Sequence, residues 1–220
     1  MTRLVLLLLA FAVAGPLGAT AQRPDVLKLN GKTYDLATNP LRPVLALLGD
    51  RFPKLKPVSS SLWRGYIGHW SVRGGKLFLD DVKVPTSSYA DLDAPESKKF
   101  RSIMKRLFDD AAPRVATWYT GNLIVPTGEL VDYVHLGYGS TYSSYVVVTV
   151  VKGAVTQQRA MNGEQFMQFR RAQYAAYKKT AEHAKERAKL KTGTHPLTDA
   201  RADDFLFQAA AEEYLSRIFE

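Results

Sequence analysis

His135 lies in the run DYVHLGYGSTY, residues 132–142, beside Tyr133, Tyr138 and Tyr142. An imidazole next to phenols can act as a base or exchange a hydrogen bond with them. If ELVDYVHL is one strand, Val131, Tyr133 and His135 share one face, while Asp132, Val134 and Leu136 share the other. Asp132 then points away from His135, which argues against a triad of neighbours. The following GYGS has turn chemistry and would place Tyr138 and the Gly139 and Ser140 amides at a strand end, where binding groups often sit. A hydrolytic centre of His135, Tyr133, Tyr138 and Arg64 is one reading. A buried structural histidine bonded to backbone is the favoured one.

A second concentration of functional groups is LWRGYIGHW, residues 62–70. As a strand it would alternate Trp63, Gly65, Ile67 and His69 against Leu62, Arg64, Tyr66, Gly68 and Trp70. Trp63, Arg64, Tyr66 and His69 would then form a binding surface, since aromatics and arginine hold sugars or anions. The competing and favoured reading buries the tryptophans and gives Arg64 a salt-bridge partner. Gly65 and Gly68 weaken a strand unless a neighbour must approach closely, so both are expected at crossing or bulge positions.

Metal and nucleophile signals are weak. His69, His135, His183 and His195 are scattered without ligand spacing, and no nucleophile elbow, phosphate-cradling loop or dinucleotide fingerprint occurs. Neither a metal nor a cofactor is expected. The chain has no cysteine, which excludes thiol catalysis and disulfide stabilisation.

Basic residues concentrate in one segment, GEQFMQFRRAQYAAYKKTAEHAKERAKLK, residues 163–191. There Arg170, Arg171, Lys178, Lys179, Lys185, Arg187, Lys189 and Lys191 face only Glu164, Glu182 and Glu186. On a helical wheel Arg171, Lys178, Lys185 and Lys189 form a stripe that would suit an anionic polymer or a membrane surface. A solvated face with pairs such as Lys178 with Glu182 and Glu186 with Lys189 is the favoured alternative.

The elements that must position these residues are legible in outline. Asn30-Gly31, between two short alternating segments, predicts a hairpin over Val26–Leu36, because a type I′ turn needs positive φ at both central residues. A short helix is expected between Pro43 and Gly49. Ser61–Val84 reads as two strands joined at Gly74-Gly75, and Arg114–Leu136 as strand, turn and strand. Pro95–Asp110 spaces Phe100, Ile103, Met104, Leu107 and Phe108 at helical intervals. Ser143–Gln158 holds a continuous apolar run, expected as a central strand that returns at Lys152-Gly153. Gly163–Lys191 predicts one long helix ended by Gly193 and Pro196, and a second helix follows with Thr198 or Asp199 as N-cap.

Read together, WRGYIGHWSVRGGKLFLDDV and WYTGNLIVPTGELVDYVHLGYGSTY resemble a family of small bacterial proteins found widely in Bacteroidetes. Its members combine a W/Y-R-G-Y-I-x-x-W hairpin with a later segment ending Y-V-H-x-G-Y-G-S-x-Y. The resemblance spans Leu62 to about Val151. It implies a shared β-rich core and brings no catalytic residue, substrate or cofactor with it. In such relatives a glutamate often follows the last tyrosine of the second motif, where Ser143 stands here.

At the N-terminus, Arg3, the apolar run Leu4–Val13 and Ala19-Thr20-Ala21 predict a signal peptide over residues 1–21, cleaved before Gln22. The apolar run is about half of the roughly 20 residues a membrane span needs. Formal net charge is +9, favouring acidic partners, and export lowers the odds of nucleic acid. The expected organisation is a β-rich core over 22–160 and a C-terminal helical hairpin over 161–220. Its fold class is α+β, with an antiparallel sheet of about six to eight strands and one or two short helices. The expected role is a non-enzymatic binding module of the cell envelope, periplasmic or secreted. Its partner would be an anionic envelope polymer, a membrane surface or another envelope protein.

Overall fold

The computed structural model describes residues 22–55, 59–91, 93–192 and 196–219. The leader over 1–21, the helix stop at Gly193 and His195 lie outside the described residues. The chain is α+β, with a large, mostly antiparallel sheet and a helical C-terminal region.

Strands β1 (Asp25–Leu29) and β2 (Lys32–Leu36) form the expected hairpin, with φ of 51° at Asn30 and 78° at Gly31. Helix α1 (Arg42–Leu48) follows, and then β3 (Ile67–Arg73) and β4 (Lys76–Pro85) turn at Gly74-Gly75. β3 lies parallel to β1, with Leu27 opposite Trp70. The strand expected from Leu62 thus begins only at Ile67, because Ser60–Leu62 coils into a 3-10 turn and Gly65 adopts φ 75°.

The helix expected over Pro95–Asp110 is broken into α2 (Glu96–Lys99), β5 (Phe100–Ser102) and α3 (Met104–Phe108). Residues Phe100–Ser102 instead pair with Pro85–Lys83 on the edge of β4. Ladder hydrogen bonds at a free edge outweigh a helical period that is only a weak prior. Ile103, Met104 and Leu107 still reach the core.

β6 (Arg114–Val115) also pairs with β4, and β7 (Gly121–Pro126) joins the far end of the sheet. β8 (Leu130–Asp132) and β9 (Thr141–Tyr142) form a separate two-stranded ribbon. β10 (Ser144–Val151) and β11 (Ala154–Asn162) turn at Lys152-Gly153, where φ is 47° and 81°. The main sheet has nine strands ordered β2-β1-β3-β4-β11-β10-β7, with β5 and β6 also on β4. It exceeds the expected count because short edge pieces add to it. Its two ends meet: Ala37 N–H donates to the Ile124 carbonyl at 2.9 Å, so the sheet curls round on itself. Curling removes two exposed edges.

The interior holds Leu27, Leu36, Trp70, Leu79, Val82, Leu123, Val125, Val148 and Val150. On the outer face, Ile124, Tyr145 and Val147 pack against α4 (Gly163–Tyr177) and the last helices. β10 is therefore buried on both faces, which is why its sequence is a continuous apolar run rather than an alternation.

The single long helix expected over 163–191 is two, α4 and α5 (Ala181–Thr192). Asn162 and Gln165 cap α4 reciprocally, and the Thr180 hydroxyl accepts from His183 N–H to start α5. The break lets Tyr177 and His183 pack around Tyr174, with Tyr214 closing on the two tyrosines. α6 (Asp199–Ala209) is capped by Thr198, as expected, and α7 (Ala211–Leu215) completes the helical layer. No helix among the described residues is long and apolar enough to cross a membrane.

Candidate functional site

A cleft of about 850 Å³ opens between the residues around α1 and β3 and the helices α5, α6 and α7. Asn39, Arg64, Tyr66 and Glu212 contribute its polar lining, and Leu45, Phe52, Trp63, Tyr177 and Phe205 its apolar walls. Charged side chains on the lining are Arg42, Glu182, Glu186, Lys189 and Glu213.

Local conformation sorts the WRGY residues. Gly65 N–H closes a turn onto the Leu62 carbonyl at 2.9 Å in a left-handed conformation open to glycine. A Cβ there would stand 2.8 Å from Leu55, which explains the residue further. Beyond the turn Trp63 is 60 % exposed while Tyr66 is buried. The expectation that both flanking tryptophans are core holds for Trp70 and fails for Trp63.

Arg64 does have the expected salt-bridge partner. One of its terminal nitrogens donates to Asp25 Oδ1 at 3.1 Å and to Asn39 Oδ1, and the other donates to the Arg23 carbonyl at 2.9 Å. Its guanidinium lies 5.0 Å from the centre of the Tyr66 ring. Asp25 also accepts from Gly68 N–H and from the Trp70 indole N–H, each at 2.9 Å. Burial opposes the Arg64 charge, but the Asp25 carboxylate beside it prevails and holds the guanidinium protonated above its ordinary range.

Asn39 Oδ1 accepts a second hydrogen bond, 3.1 Å, from the Tyr138 hydroxyl. Burial pushes the Tyr66 and Tyr138 hydroxyls well above the ordinary phenol range, so at neutral pH both are donors and neither is a base. Glu212 is also pushed up by burial, against the pull of the Asn39 amide, Arg64 and Arg42. Among the described residues the buried Arg64 Nε has no hydrogen-bond partner, while the Asn39 amide interacts with the Glu212 carboxyl. A buried unpaired donor costs about 1–3 kcal/mol, so such atoms mark places that a ligand or water satisfies.

Of the sequence-expected surface, Trp63, Arg64 and Tyr66 line the cleft and His69 does not. His69 lies in a separate groove with Lys83, Glu96 and Phe100, its pKa lowered by burial and by Lys83. The hydrolytic grouping is dispersed. Tyr133 and Tyr138 line a pocket of about 100 Å³ with Asp35, Tyr142 and Tyr145, without His135. β8 ends at Asp132, so ELVDYVHL is not one strand. His135 is exposed, not buried, and stands edge-to-face against Tyr133 with centroids 4.5 Å apart. With the strand ended, nothing carries His135 inward.

The basic stripe is interrupted at the α4–α5 break. Lys178 pairs with Asp203 at 2.9 Å rather than with Glu182, and Lys189 pairs with Glu186 at 2.7 Å, as the solvated-face reading expects. Arg171 and Lys185 remain exposed. Arg170, counted with this charge in the sequence, is buried instead.

Asn39, Asp25 and Glu212 were not singled out by the sequence. The only local signal was a charge at the head of an apolar strand for Asp25 and a Glu-Glu pair beside an apolar helical face for Glu212. Among the described residues no group of His, Asp or Glu could hold a metal ion. Comparison with protein-family models, curated proteins and solved structures finds no match.

Proposed function

We propose that this protein is an exported, non-enzymatic binding module of the bacterial cell envelope, and that the cleft floored by Arg64 and Asn39 is its binding site. The observation that carries this reading is a concave, aromatic-walled space that leaves Trp63 exposed over the buried Arg64 Nε, a donor with no hydrogen-bond partner among the described residues. Ligand sites have this composition: mostly apolar walls with a few fixed polar groups.

The chemistry available there is suited to holding a ligand. Serine, threonine, cysteine and histidine are absent from the described lining residues. Burial pushes the hydroxyls of both its tyrosines, Tyr66 and Tyr177, up so that they stay protonated, and Arg64 is neutralised by Asp25. Export rests on the leader pattern of residues 1–21.

The test is a nuclear magnetic resonance titration of the nitrogen-15-labelled protein with phenol and with benzamide, small neutral rings that carry hydrogen-bonding groups. The Trp63 indole and Asn39 side-chain amide signals are expected to move first. Shifts confined to Tyr133 and His135, or none at millimolar concentrations, would overturn the reading.

A further inference from the structure

We infer that the cleft takes the neutral, hydroxyl-rich end of a glycan, with a sugar ring laid on Trp63 and its hydroxyls on Asn39, Arg64 and Glu212. This rests on the cleft being the binding site and adds the class of ligand.

Three observations converge. Trp63 is 60 % exposed on the cleft wall and has no ring or ion partner among the described residues, and Phe205, 41 % exposed, lines the same space. A flat indole left open in a concave site suits a ligand that is itself a flat apolar face with a polar perimeter. Sugar rings present C–H groups on the face and hydroxyls around the edge.

The polar groups fit that perimeter. Hydroxyls both donate and accept, and the floor offers both functions: the Arg64 Nε donor, and the Asn39 amide beside the Glu212 carboxyl. An apolar ligand would leave the Arg64 donor unsatisfied.

Charge excludes the alternatives. Each strongly charged group on the lining except Glu212 already has a close partner. Arg64 pairs with Asp25 at 3.1 Å, Arg42 with Glu213 at 2.6 Å, Glu182 with Arg217 at 2.7 Å and Glu186 with Lys189 at 2.7 Å. Arg42 reaches Glu212 only at 3.8 Å. Among the described lining residues an anionic ligand would find no cation without a carboxylate partner, and it would face the Glu212 carboxyl. The charge that made the chain basic lies elsewhere, on Arg171, Lys185 and their neighbours.

The experiment titrates the purified protein with cellotetraose, maltotetraose and chitotetraose, and with a tetragalacturonate as the anionic comparator. Tryptophan fluorescence and calorimetry are the readouts. At least one neutral tetrasaccharide is expected to bind in the millimolar range or tighter and to shift the Trp63 emission. Trp63→Ala should weaken it about tenfold or more, as for a truncated central aromatic contact. Arg171→Glu with Lys185→Glu should leave it unchanged. Circular dichroism confirms that the exposed-site variants are folded. Binding of tetragalacturonate in preference to all three, or silence from all three, would overturn the inference. If phenol and benzamide move Trp63 while no oligosaccharide does, the glycan assignment falls and the cleft stands. Silence from both sets removes both.

Discussion

Arg64 and Asp25 meet at 3.1 Å with side chains 6 % and 0 % exposed, joining the head of β1 to the floor of the cleft. Removing one partner of a buried pair leaves an uncompensated charge, which costs about 3–5 kcal/mol. Asp25→Ala also strands the Gly68 amide and the Trp70 indole. Its free energy of unfolding, from urea denaturation, should fall by an amount in that range. A loss below about 1 kcal/mol would show that the pair does not organise the floor.

Gly68 is the complement of that pair. A Cβ at this position would lie 2.5 Å from both Asp25 Oδ2 and Trp70 Nε1, so the close approach expected from the sequence is real. Gly68→Ala should cost about 1–3 kcal/mol through overpacking. In a double-mutant cycle with Asp25→Ala the two losses should be less than additive, because the second substitution removes one clashing atom. Strict additivity would contradict the contact.

Glu212 couples the site to pH. Burial raises its folded pKa above the unfolded value. Stability from this group is therefore complete below the ordinary glutamate pKa, about 4.3, and is lost as pH rises through the folded value. Glu212→Gln, which keeps the neutral shape, should melt at a higher temperature than the parent near pH 7. The gap should close as pH falls towards 4. A variant that is less stable near pH 7, with a gap independent of pH, would contradict this.

Arg170 is 1 % exposed and has no carboxylate partner among the described residues. It donates instead to the Tyr214 hydroxyl at 2.8 Å, the Phe207 carbonyl at 3.0 Å, Gln208 Oε1 at 2.7 Å and the Gly139 carbonyl at 3.3 Å. The partial negative charge at the C-terminal end of α6 offsets its own. Arg170→Ala should cost about 3 kcal/mol or more and raise hydrogen exchange in α6, α7 and the Gly139 turn. Arg170→Lys should not rescue, since an ammonium cannot span four separated acceptors as the planar fork does. Full rescue by lysine would show that charge alone matters.

These residues also show what the chain discloses before folding. The turns at Asn30-Gly31, Gly74-Gly75 and Lys152-Gly153 were legible because positive φ is a local demand met by neighbouring residues. So was β10, whose two-sided burial writes itself as VVVTVV. The helix over 95–110 misled because the edge of β4, outside that window, offered Phe100–Ser102 a better set of hydrogen bonds. The cleft was half visible. Trp63, Arg64 and Tyr66 stood out as a cluster of types. Asn39 and Glu212 did not, because only the curled sheet and the helical layer bring positions 39, 64 and 212 to one cleft. His135 drew attention by composition, yet the end of β8 at Asp132 leaves it in solvent.

The central claim is that the cleft binds a ligand, and blocking it is the most direct test. Ala209 lines the cleft at the end of α6 without touching the floor groups Arg64, Asn39 or Glu212 by any hydrogen bond. In the phenol and benzamide titration, Ala209→Phe should abolish the Trp63 indole shift seen in the parent while leaving the rest of the spectrum that of a folded protein. An Ala209→Phe protein that still responds at Trp63 with unchanged affinity would contradict the assignment of the cleft as the binding site.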